Sequence, residues 1–376
     1  MNHLARLKSW KAFFIALLPV QIVVYALLAQ SPALVERLYS NKVYTYISWS
    51  LQAVTRYVSF PVGQVLLYCG TALLLWLVVR LVRRLWFEHR NVLKVTLRLA
   101  VHGLVGISLF YLVFMLVWGL NYFRLPFSHI AGYPVDEPYQ KVELEELCRV
   151  LIREANLQRE LVREDAQGVV QLPGSPQETL TQALLGYAEA AKMYPELAGN
   201  YGPAKQVFVP QLMSYLGIGG IYFPFTGEAN VNMHQPAPFL PATICHEMAH
   251  QNGFAREDEA NYLGYLACRL HPDPTFRYSG TLSALRVSMG TLRLYDSLSF
   301  RDLRQHYSPG LLRDLKATYA YWEKYQGPME EMSSQMNNLF LKANRQEDGI
   351  KSYNRMLDLL IGEYRARNTA RAENNE

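Results

Sequence analysis

Residues 99–120 of the chain, LAVHGLVGISLFYLVFMLVWGL, form an apolar run that contains no Asp, Glu, Lys or Arg. Because a helix needs about 20 apolar residues to cross a bilayer, this run predicts a membrane-spanning helix. Two earlier runs have the same character, AFFIALLPVQIVVYALLA at 12–29 and PVGQVLLYCGTALLLWLVV at 61–79. The sequence therefore predicts a membrane domain over residues 1–120 with three transmembrane helices.

The first apolar run also has an alternative interpretation. It is short, follows a basic start and ends near small residues, which is typical of a cleaved signal peptide as well as of a span. Cleavage there would leave the direction of the other two spans unchanged.

Basic residues next to the spans indicate the orientation in the membrane, because Lys and Arg are retained on the cytoplasmic side. They are concentrated in the N-terminal segment and in the loop 80–98: Arg6, Lys8, Lys11, Arg80, Arg83, Arg84, Arg90, Lys94 and Arg98. We therefore expect a cytoplasmic N-terminus and an extracytoplasmic region after residue 121. The tyrosine-rich loop 30–60 suits an interfacial helix on the outer face.

The net charge of +5 is mainly this topology signal. The C-terminal part has no basic stripe interleaved with aromatic residues, so we do not expect nucleic acid as a partner. The four cysteines include no CxxC pair, which excludes a zinc site built on cysteines.

The region 121–364 has helix-period patterns through most of its length, which indicates one α-rich domain. Gly and Pro alternate with aromatic and β-branched residues between Lys205 and Pro241, which predicts a small β-sheet there. The fold class is therefore mainly α, with an α+β extracytoplasmic domain. The tail, residues 365–376, is predicted to be disordered.

The stretch TICHEMAHQNGFAREDEANYLGYLAC, residues 243–268, contains two histidines four residues apart. On a helix, His246 and His250 lie on one face and can direct a ring nitrogen at the same metal ion. Glu247 sits beside them, where it can act as general base on an activated water without binding the metal. Pro241 suits the first turn of this helix, and Gly253 suits its C-terminal cap.

The third metal ligand is expected from the next helix, since no third histidine follows the motif. Glu257 is the first choice, because a carboxylate from a neighbouring antiparallel helix is a common third zinc ligand. Glu259 is the alternative and lies on another face of the same helix. Asn261, four residues after Glu257, is a candidate to hold a ligand histidine by a hydrogen bond.

The motif HEMAH followed by E-x-x-A-N resembles the gluzincin type of zinc metallopeptidase, although the gap from His250 to Glu257 is shorter than in most gluzincins. The whole chain also resembles a family of bacterial multi-pass membrane proteins known only as a domain of unknown function. Four stretches carry that second resemblance: WGLNYFR, GGIYFPFTGEANVN, HEMAHQNGFAREDEAN and FLKANRQEDGIKSYNRM. Together these resemblances imply a zincin-like domain, a Zn²⁺ cofactor and the bacterial plasma membrane.

A peptidase must also hold an extended substrate and stabilise an oxyanion. The segment GIGGIYFPFTGEANVN can form an edge strand for substrate pairing, and a hairpin in the core is the alternative. Tyr222, His234 and Tyr353 are candidate oxyanion donors by residue type alone.

The sequence therefore predicts a membrane-anchored zinc metallopeptidase, with the lipid bilayer and a peptide or protein substrate as partners. The alternative is a membrane-anchored sensor or scaffold in which zinc is structural or absent. An intramembrane protease is excluded, because the segment around the motif is too short and too charged to span a bilayer.

Overall fold

The computed structural model describes residues 2–87, 92–199, 201–344, 346 and 355–373. Most of these residues are helical, and the described part contains one three-stranded sheet. The predicted mainly helical fold with a small sheet is thus confirmed.

The N-terminal part contains the apolar helices. Its elements are α1 (Asn2–Leu28), α2 (Pro32–Val35), a π-helical segment (Glu36–Val43), α3 (Tyr44–Thr55), α4 (Val62–Phe87) and α5 (Val92–Val117). Three of these helices are long and apolar enough to cross a membrane, over Trp10–Leu28, Val62–Trp86 and Val95–Val117. The second span was predicted to end at residue 79, but the helix continues because arginine is a good helix former.

Helices α1 and α5 run parallel to each other along the membrane part. Lys11 Nζ lies 2.9 Å from His102 Nε2 near one end, and the rings of Tyr25 and Tyr111 are 5.4 Å apart toward the other. Helix α4 runs in the opposite direction, because its first turn lies at the end where α5 finishes. The C-terminal part packs against that end of the helices, where Phe223 lies on Gly63 of α4 and Phe225 lies on Phe110 of α5.

The segment between the first two spans packs against the C-terminal part of the chain. Tyr44 of α3 is buried, and Thr55 Oγ1 donates a hydrogen bond of 3.1 Å to the carbonyl of Thr226. Gln52 of the same helix donates to the carbonyl of Gly227. The segment between the first two spans therefore shares an interface with the C-terminal part of the chain.

The C-terminal part is built from short and medium helices. They are α6 (Phe127–Ala131), α7 (Lys141–Arg159), α8 (Pro176–Met193), α9 (Pro210–Tyr215), α10 (Leu240–Gln251), α11 (Glu257–Leu270), α12 (Pro274–Tyr295), α13 (Ser297–Arg304), α14 (Pro309–Glu323), α15 (Pro328–Ala343) and α16 (Met356–Glu373). Helix α11 lies at the centre and packs against α8, α10, α12 and α16. Gly186 of α8 permits the closest of these approaches, because a Cβ there would lie 2.4 Å from the Ala267 carbonyl oxygen.

The sheet contains β1 (Lys205–Gln206), β2 (Gly220–Phe223) and β3 (Glu228–Val231) in the order β1-β3-β2. Strand β2 pairs antiparallel with β3, and β1 pairs parallel with β3. The sheet lies in the predicted stretch. The edge strand and the hairpin, the two interpretations of the stretch GIGGIYFPFTGEANVN, both describe part of the structure. Strands β2 and β3 form a hairpin, and β2 is also an edge strand of the sheet.

Helix α16 continues to Glu373, past residue 365, where the predicted disordered tail begins. The apolar pattern stops near residue 364, but charged contacts replace it. Arg365 binds the carboxylate of Glu143 at 2.6 and 2.9 Å, and Arg367 binds that of Glu363 at 3.0 Å. Ion pairs leave no apolar period in a sequence, so pattern analysis missed this extension.

Candidate metal centre

Helix α10 presents the two histidines of the motif. It begins at Leu240 with Pro241 in its first turn, and it ends before Gly253, which adopts φ 83°. That left-handed conformation favours glycine and closes the helix. The rings of His246 and His250 have centroids 4.9 Å apart on one face.

Only five residues, 252–256, separate the end of α10 from the start of α11, whose first residue is Glu257. The Oε2 atom of Glu257 lies 3.3 Å from Nε2 of His246 and 3.7 Å from Nε2 of His250. The three ligand atoms all lie within 4.8 Å of one another. The structure thus brings together the three residues that were predicted as metal ligands.

Two observations test whether these residues fit zinc. Ligand atoms about 2.0–2.2 Å from a tetrahedral Zn²⁺ lie roughly 3.3–3.6 Å from one another, close to the two distances from Glu257 Oε2. That oxygen is also buried without a hydrogen-bond partner among the described residues. A His₂Glu set is a known catalytic zinc set, so the donors and their spacing fit this ion.

A hydrogen bond at Nδ1 fixes the orientation of the His250 ring. Its Nδ1 lies 2.8 Å from the carbonyl oxygen of Phe254, which accepts the Nδ1 proton and leaves the Nε2 lone pair free for a metal. His246 lacks such support, because its buried Nδ1 has no partner in the described part of the chain. No hydrogen bond between described residues joins Asn261 to either histidine, so the structure does not give Asn261 its predicted role.

The charges within the cluster support one another. Burial lowers the pKa of His250, but the carboxylate of Glu257, with smaller contributions from Glu247 and the Phe254 carbonyl, outweighs burial and raises that pKa to about 9. Burial also tends to raise the pKa of Glu257, yet the two histidines hold it well below its usual range. In the metal-free protein the two groups therefore form a charged pair, and a metal has to displace the proton of His250.

Glu247 lies next to the cluster and close to strand β2. A Cβ on Gly220 of β2 would lie 2.5 Å from Oε1 of Glu247, so only glycine leaves room for this carboxylate. Burial raises the pKa of Glu247 to about 7, although the neighbouring histidines lower it and Glu257 raises it further. A carboxylate with a pKa near neutrality is suited to accept and return a proton.

Glu259, the alternative ligand, has a different position. Its Oε1 accepts the backbone N–H of Phe127 at 2.8 Å and a hydrogen bond from Arg256 at 3.2 Å. These contacts tie α11 to the segment that follows α5. The geometry of the cluster therefore favours Glu257 over Glu259.

Of the three candidate oxyanion donors, the structure describes Tyr222 and His234. The ring of Tyr222 lies 6.5 Å from that of His250, but its hydroxyl is paired with the hydroxyl of Tyr44 at 3.1 Å. His234 is exposed, and its Nδ1 lies 3.4 Å from the hydroxyl of Tyr321. Tyr353 lies outside the described residues.

Sequence reasoning missed the side chains that hold the C-terminal end of α10. The Tyr44 hydroxyl donates to the Gln251 carbonyl at 3.0 Å, and Trp118 Nε1 donates to the His250 carbonyl at 3.3 Å. The last carbonyls of a helix lack partners within it, so these bonds fix where the ligand helix ends. Trp118 opens the stretch WGLNYFR, whose polar and aromatic mixture directly after a span was the available signal.

Arg124, in the same stretch, supports the turn between the ligand helices. It makes two hydrogen bonds of 3.0 and 2.7 Å to the carboxylate of Glu36 and one of 3.0 Å to the Gly253 carbonyl. Its guanidinium also lies 3.8 Å from the centroid of the Phe254 ring. Both charged residues are buried, and Glu36 connects the N-terminal part of the chain to this turn through Arg124.

The fold and the cluster together define a protein with three candidate membrane-spanning helices and a helical part that contains a partly buried His–His–Glu group. A family model described as protein of unknown function (DUF3810) matches residues 39–361. The chain belongs to this family. No curated protein and no solved structure matches the chain.

Proposed function

We propose that the protein is a membrane-anchored zinc metallopeptidase. The observation that carries this proposal is the convergence of His246, His250 and Glu257 on one point, with Glu247 beside them. Zinc bound there would act as a Lewis acid, lowering the pKa of a coordinated water and polarising the carbonyl of the scissile bond.

Each residue of the chain then has a separate task. His246, His250 and Glu257 hold the ion, and the bond from His250 to the Phe254 carbonyl keeps its ring in the required orientation. Glu247 takes the proton of the attacking water and returns it to the leaving amine, which balances the hydrolysis. Its burial keeps the carboxylate basic enough for the first transfer.

The edge strand β2 supports a peptide as the substrate. The Asn232 N–H donates to the Gly219 carbonyl at 2.9 Å, which places this pair in the hydrogen-bonded register of the hairpin. Hydrogen-bonded and non-hydrogen-bonded residue pairs alternate along an antiparallel hairpin, so Gly220 and Tyr222 belong to non-hydrogen-bonded pairs. Their backbone N–H and C=O groups therefore point away from β3. An extended chain that pairs with them would pass Glu247 and His250.

We further propose that the C-terminal domain is extracytoplasmic in a bacterial plasma membrane and that the N-terminus is cytoplasmic. The basic residues at the ends of α1, α4 and α5 that lie away from the domain support this orientation. Fusion of alkaline phosphatase to the C-terminus tests it. An active fusion is expected, whereas an inactive fusion would place the domain in the cytoplasm.

The substitution Glu247→Gln tests the catalytic proposal. The full-length protein in nanodiscs is incubated with a mixed peptide library, products are identified by mass spectrometry, and bound zinc is measured by elemental analysis. We expect cleavage to fall by about two to four orders of magnitude, the usual contribution of a general base. Zinc content should stay unchanged, because Glu247 does not belong to the ligand cluster.

Glu160→Gln is the matched control, since Glu160 is an exposed glutamate at the end of α7. It should change neither quantity. Zinc binding without any cleavage that depends on Glu247 would instead support the sensor or scaffold alternative.

A further inference from the structure

The candidate metal centre lies directly against the end of a membrane-spanning helix. Trp118 is the first residue after α5, and its ring centroid is 6.1 Å from that of His250. Its indole N–H also donates to the His250 carbonyl. The ligand helix is therefore in contact with the membrane end of the domain.

The β2–β3 hairpin extends from this centre toward the apolar spans. At its start, Gly220 is next to Glu247, and at its end Phe223 packs on Gly63 in the first turn of α4. The ring of Phe225, in the hairpin turn, is 5.6 Å from that of Phe110 in α5. Phe110 precedes the end of its span by seven residues, which corresponds to about 10 Å of helix.

A groove lies between the three spans immediately beyond the hairpin. It has a volume of about 1050 Å³, and its lining is apolar: Leu18, Ile22, Leu74, Gly106, Ile107 and Phe110. None of the residues in the apolar window of α4 is buried against the rest of the described chain. Phe110 both lines the groove and contacts Phe225, so the groove is continuous with the hairpin turn at the end of β2 away from the metal centre.

We propose that the substrate is a membrane-anchored polypeptide. Its apolar membrane segment lies in the groove, and the adjoining segment extends along β2 to the metal centre. Five residue steps separate Gly220 from Phe225 and cover at most about 17 Å, so the cleaved bond lies within about six residues of the end of the membrane segment. This inference rests on the proposed peptidase function and names its substrate class.

A polypeptide fits these features better than a lipid. A lipid tail can occupy an apolar groove, but it has no N–H or C=O groups to pair with the unpaired edge of β2. A substrate that engages both features needs an apolar helical segment followed by an extended chain, which is the arrangement next to a transmembrane helix.

Filling the groove tests the proposal directly. A Cβ at Gly106 meets nothing within 4 Å, so Gly106→Leu fills the groove without displacing a neighbour. Gly70 of α4 is equally open and does not line the groove, which makes Gly70→Leu the matched control. The substrates are one library of 12-residue sequences, presented either after a 20-residue apolar helix or as soluble peptides, with the enzyme in nanodiscs.

We expect the anchored library to be cut at least tenfold faster than the soluble one, at sites within about six residues of the apolar helix. Gly106→Leu should remove most of this preference, while Gly70→Leu, outside the groove, should change neither rate. Equal rates for the two libraries would overturn the inference but not the peptidase function. Cleavage that persists in Glu247→Gln would overturn the peptidase function itself.

Binding without turnover is measured in the Glu247→Gln variant, with p-benzoylphenylalanine in place of Phe110 or of its exposed neighbour Leu109. The anchored peptide should cross-link from position 110 and not from position 109. Cross-links to lipid alone at both positions would contradict the proposal and identify the groove as a lipid site.

Discussion

Zinc binding should depend on pH through the proton of His250. The Glu257 carboxylate raises the pKa of His250 to about 9, so at pH 7 the metal-free protein carries a proton on a ligand nitrogen. Because pH 7 lies about two units below that pKa, displacing the proton costs on the order of 3 kcal/mol. The apparent dissociation constant for zinc should therefore be roughly 100-fold larger at pH 7 than above pH 9.

The sign follows from the direction of the shift. A raised histidine pKa favours the protonated form, so zinc affinity increases as pH rises and levels off once pH passes the pKa. Competition with a chelator of known affinity measures the constant at each pH. Calorimetry in buffers of different ionisation enthalpy should count about one proton released per zinc at pH 7.

Glu257→Gln provides the control for this reasoning. It removes the charge that raises the pKa of His250, so fewer protons should be released at pH 7 while affinity falls through the lost ligand. A dissociation constant that stays level from pH 7 to 9 with no proton release would refute the assigned charge pair.

Two further substitutions distinguish an effect on catalysis from an effect on the stability of the turn between the ligand helices. Gly220→Ala places a methyl group 2.5 Å from the Glu247 side chain, so peptide cleavage should fall at least tenfold while zinc content is retained. Unchanged turnover would contradict the close approach of β2 to Glu247. Glu36→Gln leaves Arg124 with an uncompensated buried charge, a change that costs about 3–5 kcal/mol. We expect a lower thermal unfolding midpoint and weaker zinc binding in that variant, because the turn at Gly253 loosens. Equal values for variant and wild type would show that the turn does not need the Arg124–Glu36 ion pair.

The features that the sequence predicts well are those encoded locally. The three apolar runs give the candidate spans by length and composition alone, and the spacing of His246 and His250 places them on one helix face. The short gap to Glu257 forces a tight turn, which makes convergence of two adjacent helices predictable. The choice of Glu257 over Glu259 required coordinates, because both glutamates are polar residues of the same first turn.

The missed features depend on contacts between distant parts of the chain. Tyr44 meets the Gln251 carbonyl across 207 positions of sequence, and Arg124 meets Glu36 across 88. No local period signals such contacts. The tyrosines of the loop 30–60 suited a membrane interface equally well, so their packing on the ligand helix was not predictable.

Zinc stoichiometry in matched variants tests the central claim most directly. The full-length protein is purified with zinc in nanodiscs, and bound metal is measured in the wild type, Glu257→Ala and Glu259→Ala. We predict one zinc per chain in the wild type and in Glu259→Ala, with loss of most of it in Glu257→Ala. Full zinc retention in Glu257→Ala, or no zinc in the wild type, would contradict a metal centre formed by His246, His250 and Glu257.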